Sequence, residues 1–466
     1  MFTIWRVVLC AAFALAICTA TEASPSKGRK SPPLRKAQVM PRKTSDAKVR
    51  LVVITDISTL TARDGEPDDT QSMVRLLVYS NVFDIEGLVA AQTGSDLHVH
   101  PEYIRDIAHK YGKVRKNLAL HAEGYPTEQH LLSVTHGGRP GVDTVGDGWE
   151  SDASNWIIKL LDKPDPRPVW FTIWGGPREL AQAIYEVSQT RTPAQLAKFK
   201  SKIRIHAIAD QDPTCEWIRT NHPDVFYIKS RFVFRGLYRD GDTSLVNTEW
   251  VDKNIIEGHG PLGSAYPNYD GGDPWGAVHG IKEGDTPSFL YLIPNGLGNP
   301  QQPAWGGWGG RFVKTGSYYF DAKDTVGGNT SERATVHRWR PEYQNDFQAR
   351  MDWCVKPYKD ANHPPVPAFA GNTRLRVRPG SMVKLSAAGS SDPDGDKLSY
   401  KWLFYPEPSS YNGSLVIKNT SKRDASFIAP VVESVKTIHI IVTVTDDGAP
   451  RLSRYKRIIV TVDPKA

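Results

Sequence analysis

Two rhythms of apolar and polar positions divide the chain. Arg50 to Thr55 is an almost unbroken apolar run ending at Asp56, the pattern of a strand buried on both faces. Asp68 to Ser80 then spaces Met73, Val74, Leu76, Leu77 and Tyr79 along one helical face. Ile85 to Ala91 predicts the next strand, and Pro101 to Tyr111 a helix with proline in its first turn. The alternation continues through helix 151–161, strand 168–174, helix 177–187 and strands 203–208 and 224–229. Strands separated by helices predict an α/β fold, a parallel sheet flanked by helices. Ligands of such sheets bind beyond the carboxyl ends of the strands. The acid-rich segment after Thr55 and the Gly-rich turn after Trp174 both fall at that end.

The rhythm breaks between residues 231 and 361, where Gly, Pro and Trp are frequent and Phe289–Ile293 is the best strand candidate. Long loops in a compact domain commonly cover a ligand site, so this region is expected to lie over the ligand end of the sheet. A boundary is expected near Asn362-His-Pro-Pro-Val-Pro367. Beyond it the period shortens to two. Runs around Val383, Leu398–Trp402, Ser426, Thr437–Val444 and Arg457–Val462 are separated by the turns Asp392–Asp396 and Asp446–Pro450. Short strands with regular turns predict an immunoglobulin-like β-sandwich over 362–466, after an α/β domain over 49–361.

Charge changes the picture only once it is located. The 466 residues carry a net charge of +7. Residues 24–50 alone hold nine Lys or Arg against Asp46, a surplus of +8, so the remainder is −1. The folded body is therefore not read as a nucleic-acid binder. Residues 24–48 read as a basic, Pro- and Ser-rich linker. Before them, Arg6 and the apolar run Val7–Ala20, followed by Thr21-Glu22-Ala23, form a secretory signal pattern over 1–23. Its apolar run is shorter than the roughly 20 residues a span needs, so no membrane span is expected after cleavage and the protein is expected to be secreted or periplasmic. Cleavage would leave Cys215 and Cys354, which either pair or stay as buried thiols.

Asp56, Asp64, Glu66, Asp68 and Asp69 fall within fourteen residues. Helix capping accounts for one or two acids in a first turn. Crowded carboxylates repel, and a hard cation such as Ca²⁺ is their natural partner. Both readings stand for Asp68 and Asp69. Trp305-Gly-Gly-Trp308-Gly-Gly310 sets two indoles on a Gly-rich backbone, suited either to stacking on sugar rings or to core packing. Asp212 before Pro213 reads as a helix N-cap. The Asp392-Pro-Asp-Gly-Asp396 segment reads as an acidic turn, with Ca²⁺ binding as the other reading.

Strand, acidic turn and apolar helix together resemble the opening of the calcium-dependent nucleoside hydrolases. Ile85–Gly94, Gly175–Ala183 and Glu283–Pro287 resemble later segments of that family. Gly258–Gly263, Glu283–Leu292, Trp305–Gly310, Met351–Val355 and the C-terminal β-unit resemble more closely the cellulose-binding proteins with a nucleoside hydrolase-like domain. The resemblance implies metal ligation by Asp68, Asp69 and Asp285, and a proton-accepting carboxylate at Asp56 or Glu66. It sets Ser95 where the family often has a ribose-binding Asn; the other candidate substrate residues are Trp305 and Trp308, by indole stacking, and His259, a candidate general acid or a structural histidine of its Gly-Pro loop. Three positions differ from the hydrolase pattern: Ser58 follows Asp56 by two residues, Gly284 precedes Asp285, and Ser95 follows Gly94.

The expectation is a secreted, Ca²⁺-dependent hydrolase of N- or O-glycosyl bonds. Its partners would be a carbohydrate or nucleoside substrate, with a polysaccharide surface as a further candidate. The alternative is a non-catalytic carbohydrate- or cellulose-binding protein whose hydrolase-like site has decayed.

Overall fold

In the computed structural model of the chain, residues 47–62, 67–92 and 97–466 are described. The signal-like run, nearly all of the basic linker, Asp64, Glu66 and Ser95 lie outside them.

Six parallel strands build the sheet: β1 (Val49–Thr55), β2 (Phe83–Ala90), β3 (Thr135–Gly137), β4 (Val169–Ile173), β5 (Ile203–Ile208) and β6 (Phe226–Ser230). Helices α1 (Pro67–Val78), α2 (Pro101–His121), α3 (Glu128–Ser133), α4 (Asp152–Asp162), α5 (Arg178–Thr190), α6 (Pro193–Ser201) and α7 (Pro213–Asn221) connect them. The spatial order is β3-β2-β1-β4-β5-β6. The order reverses between β1 and β4, which opens a crevice outside their carboxyl ends. The residues that follow these strands, Asp56 and Trp174-Gly175-Gly176, face that crevice's position in the topology.

Alternation along β1 explains the two flanking layers. Leu51 and Val53 pack with Met73, Leu76 and Leu77 of α1 and Ile104 and Ile107 of α2. Val52 and Ile54 pack on the opposite face with Ile157 and Leu160 of α4 and Leu180 and Ile184 of α5. A strand covered on both sides needs apolar residues at every position, as its sequence has. The helix expected over 101–111 runs ten residues further to His121, because Val114 and Leu118 continue its buried face.

The region after β6 adds pieces that sequence periodicity missed. Hairpin β7 (Tyr269–Asp273) and β8 (Gly276–Gly280) is separate from the main sheet. Residues expected as strand 289–293 belong instead to helix α8 (Thr286–Leu290) and the turn after it, a correction. A short, continuous apolar run fits either state, and Pro287 in the first turn favours the helix. Strands β9 (Phe312–Thr315) and β10 (Tyr318–Asp321) close the sheet edge, β10 pairing parallel to β6 and antiparallel to β9. Helix α9 (Arg340–Asp352) follows.

The C-terminal β-unit pairs Ser399–Tyr405 with Lys436–Thr445 and the latter with Ser453–Val462, all antiparallel. Arg374–Val377 adds in parallel to Ser453–Val462. Met382–Ser386 and Asp424–Ile428 form the facing pair. Val383, Leu385 and Phe427 of that pair meet Trp402, Ile440, Val442, Ile458 and Val460 in one core, the arrangement of a sandwich.

The Trp305–Gly310 motif forms a joint with this unit. Trp308 is 1% exposed, and its indole N–H donates to the Tyr455 hydroxyl at 3.0 Å. Gly309 lies so close to helix α8 that a Cβ would stand 2.1 Å from the Pro287 carbonyl oxygen. Arg454 pairs with Asp346 of α9 at 2.8 Å, and the Tyr455 amide donates to the Asn295 carbonyl at 3.0 Å. Cys215 and Cys354 are buried free thiols. Truncation of so large a buried side chain costs about 3–5 kcal/mol. Trp308→Ala is therefore expected to lower the denaturant midpoint and to make the 362–466 segment more susceptible to limited proteolysis. An unchanged midpoint would contradict a packing role.

Candidate metal and sugar site

Four carboxylates gather at the carboxyl end of the sheet. Asp56 directly follows β1, Asp68 and Asp69 occupy the first turn of α1, and Asp285 precedes α8. Asp56, Asp68, Asp69 and Asp285 line one cavity of about 230 Å³ together with Trp174, Gln211, Tyr238, Asp273 and Lys282. Asp68, Asp69 and Asp285 each present an oxygen, and these lie within 4.8 Å of one another.

Helix α1 brings the distant Asp285 here through buried polar contacts. Arg75 pairs with Glu283 at 2.7 Å, both side chains fully buried. Glu283 also accepts from Thr286 Oγ1 at 2.6 Å and from the Tyr266 hydroxyl at 2.5 Å. Gln71 donates to the carbonyls of Pro267 and Gly280 and accepts from the Lys282 amide at 2.7 Å. Ser72 meets Thr286 at 3.1 Å. One face of α1 is therefore polar although buried, and Gln71, Ser72 and Arg75 on it all reach segment 267–286, Arg75 donating also to Gln344 of α9 at 2.7 Å. From the sheet side, the Trp174 indole donates to Ser288 Oγ at 3.0 Å, and Ser288 donates to the Asp285 carbonyl at 2.6 Å.

Asp69 is 2% exposed and accepts a short hydrogen bond from Thr55 Oγ1. Burial, then repulsion from Asp285, Asp56 and Asp68, hold its carboxyl well above the ordinary aspartate value. Asp68 Oδ1 is buried without a hydrogen bond among the described residues and lies 3.7 Å from Lys282 Nζ. Clustered oxygens, one buried and lacking a donor, fit a hard divalent cation better than they fit capping alone. Asp68, Asp69 and Asp285 are the residues that would hold it.

A second cavity of about 190 Å³ adjoins the first and shares Asp56 and Gln211 with it. Arg139, Asp143, Arg178, Glu179 and Asp212 line it. Gly175 and Gly176 permit this meeting of walls. A Cβ on Gly175 would stand 2.6 Å from Asp56 Cγ, and one on Gly176 1.8 Å from Asp212 Oδ2. Asp212 caps α7, accepting from the Thr214 amide at 2.8 Å, and burial pushes its carboxyl up to about 6. Arg178 and Glu179 are buried and bonded to each other at 2.9 Å. Ala209 lines the first cavity with a left-handed φ of 60°, a conformation that costs a non-glycine residue energy and recurs at ligand sites.

Of the residues named from sequence, Asp56, Asp68, Asp69 and Asp285 come together. His259, Trp305 and Trp308 line neither cavity. His259 is buried beside α9, 3.3 Å from Asp352. Trp305 is half-buried against His439, with Arg374 and Arg457 near its ring, and Trp308 is in the joint described above. Sequence reasoning missed Arg139, Arg178, Gln211 and Trp275. The last is 48% exposed in the turn between β7 and β8, with the Arg235 guanidinium 3.7 Å from its ring centre. Asp273 and Pro274 beside it line the acidic cavity.

The raised Asp69 carboxyl has a consequence for stability. The native state holds this proton at pH values where an unfolded aspartate, near 3.8, has lost it. The contribution is full at low pH and is lost as pH rises through the native value. In chelator, this group is expected to make wild type more stable at about pH 5 than at about pH 7, and Asp69→Asn to reduce that difference. Thermal unfolding at the two pH values checks this; equal differences in both proteins would contradict it.

Comparison with known proteins follows the same lines. The family model for cellulose-binding Sde182, nucleoside hydrolase-like domain, matches residues 50–312. That for the C-terminal domain of cellulose-binding protein Sde0182 matches 382–462. A solved nucleoside hydrolase-related hypothetical protein from Saccharophagus degradans, associated with carbohydrate metabolism, is 36% identical with a TM-score of 0.73. The match covers 90% of this chain and 100% of that one. The PKD domain of the KIAA 1837 protein is 20% identical over 20% of this chain and 84% of its own, with a TM-score of 0.17. No curated protein matches. The sheet, the C-terminal β-unit and these matches agree: the chain belongs to the cellulose-binding Sde182 family with a nucleoside hydrolase-like domain.

Proposed function

We propose that the protein is a secreted, calcium-dependent hydrolase of glycosyl bonds. The observation that carries this reading is the convergence of Asp56, Asp68, Asp69 and Asp285 on one cavity at the reversal point of the sheet. Bound there, Ca²⁺ would supply electrostatic attraction for sugar hydroxyls and for a water. Asp68, Asp69 and Asp285 would hold that cation, whose charge would offset the repulsion that otherwise keeps Asp69 protonated. Asp56, on the wall common to both cavities, accepts the water's proton as its oxygen bonds to the anomeric carbon. The bond from the anomeric carbon to the leaving group breaks as the bond to water's oxygen forms, and the leaving group takes up a proton from solvent while Asp56 returns its own to solvent, which completes hydrolysis. Asp212 serves position here, because its Oδ1 accepts from both the amide and the hydroxyl of Thr214 at the start of α7. The signal-like N-terminus supports export to where polysaccharide is found.

A second reading, sugar binding without turnover, has its own supporting observation. Trp275 is a half-exposed indole stacked on Arg235, which lines the acidic cavity together with Asp273 and Pro274. Such a face suits stacking on a sugar ring. The cellulose-binding description of the family agrees with either reading.

Sugar release from a panel of nucleosides and oligosaccharides, with added Ca²⁺, separates them. The hydrolase reading expects release by wild type, a fall of about 10²–10⁴-fold in Asp56→Asn, and loss in Asp69→Asn. No release from any substrate, with retention on cellulose that weakens in Trp275→Ala, would replace it with the binding reading.

A further inference from the structure

A second cluster of acceptor oxygens, far from the sheet end in sequence, lies where the segment after α9 meets two turns of the β-sandwich. Asp392, Asp394 and Asp396 each present an oxygen, all within 4.8 Å of one another. An acidic turn alone does not make a site, since such turns are common. The buried groups around this one decide the matter.

Asn362 is 6% exposed and plugged against Gly448, where a Cβ would stand 2.3 Å from its Nδ2. Its amide nitrogen donates to Asp446 Oδ1 at 3.1 Å and to the Pro450 carbonyl at 2.7 Å. Those two acceptors fix the amide's orientation. Its Oδ1 is then left buried, with no hydrogen-bond partner among the described residues. Asp446 is 1% exposed. Its Oδ1 accepts three hydrogen bonds, from Asn362, the Gly448 amide and the Leu452 amide. Its Oδ2 is buried and accepts none among the described residues. Asp392 repeats the division: Oδ1 accepts from the Asp394 and Asp396 amides, and Oδ2 is buried without a partner.

Three buried acceptors that lack donors are therefore found in one neighbourhood. The turns are held together by the Lys397 amide, which donates to Asp447 Oδ1 at 2.8 Å. Asp446 lies close enough to Asp392 for the two carboxylates to repel each other. His363 is occupied with Asp394, through its amide at 2.7 Å and its ring at 3.0 Å. Among the described residues no Lys or Arg ion pair reaches Asp392, Asp396 or Asp446. Burying such acceptors without a donor or a cation is unfavourable, and more so when they are charged.

We infer that Asp392, Asp396, Asp446 and Asn362 form a binding site for a divalent cation, Ca²⁺ by its chemistry, with Asp394 completing the acidic turn. The donors are all oxygens, carboxylate and amide, which is the set that calcium accepts in irregular geometry with roughly six to eight ligands. The site joins three stretches of chain. Asn362 comes from the segment leading out of α9, Asp392–Asp396 from one turn, and Asp446 from another. A cation here ties the β-sandwich to the end of the α/β part. This inference is independent of the sheet-end cluster and of any hydrolytic activity.

The test is calcium titration of the full chain by calorimetry, in an Asp69→Asn background that disables the sheet-end cluster. The expected result is that this chain still binds calcium, and that adding Asp392→Asn weakens that binding at least tenfold. Asp446→Asn, which keeps an acceptor at Oδ1, is expected to do the same. Circular dichroism shows whether each variant is folded. Asp392 is in a half-buried turn, so Asp392→Asn decides the question if the Asp446 variant does not fold. Terbium provides a second readout in the same background. The Trp353 indole donates to the Asn362 carbonyl at 2.9 Å and is positioned to sensitise terbium emission. That emission is expected to be displaced by calcium and lost in Asp392→Asn. Absence of calcium binding in Asp69→Asn would overturn the inference. So would binding that persists undiminished when Asp392 is replaced.

Discussion

Repulsion among buried carboxylates is the constraint around which the sheet end is organised. Asp56, Asp68, Asp69 and Asp285 would separate if each were free to reach water. They are held together by apparently unrelated polar contacts on α1. Arg75 grips Glu283, Gln71 grips the backbone of 267–282, and Ser72 meets Thr286. These bonds fix Asp285 two residues beyond Glu283 and against the first turn of the same helix. The fold thus holds the acids in a high-energy arrangement. A cation at their centre, or protons on them, relieves it.

The doubly wound topology supplies the location. Strand order reverses between β1 and β4, so the loops that follow those strands diverge and leave a crevice. Asp56 follows one strand and Gly175-Gly176 the other. The glycines are short of side chains at the point where Asp56 and Asp212 approach the backbone. The same loops therefore make both the acidic cavity and the adjoining one lined by Arg139 and Arg178.

Much of this was legible in the sequence, for identifiable reasons. The strand pattern of β1 and the helical face of α1 are strong because both are buried against long apolar partners. Asp56, Asp68 and Asp69 are close in sequence, so their crowding was visible without a fold. Asp285 came only through family resemblance, since its place depends on the Arg75–Glu283 pair over two hundred residues of separation. Trp305-Gly-Gly-Trp308 left two readings open. The structure uses Trp308 and Gly309 in packing at the joint, because close backbone approach and a rigid indole are as useful there as at a sugar. Trp275 gave no sequence signal, because its hairpin lacks apolar alternation. The strand expected over 289–293 failed because a short apolar run has no period to distinguish it from a buried helical turn.

Lys282 makes the central claim sharply testable. Its amine lies 3.7 Å from Asp68 Oδ1 and is the competing counter-charge for the cluster. The direct measurement is a crystal structure of the protein grown with calcium, with anomalous data collected to identify the ion. The account predicts an anomalous peak bonded to oxygens of Asp68, Asp69 and Asp285, with Lys282 displaced from Asp68. A cluster without a peak, with the Lys282 amine seated among the three carboxylates, would contradict it.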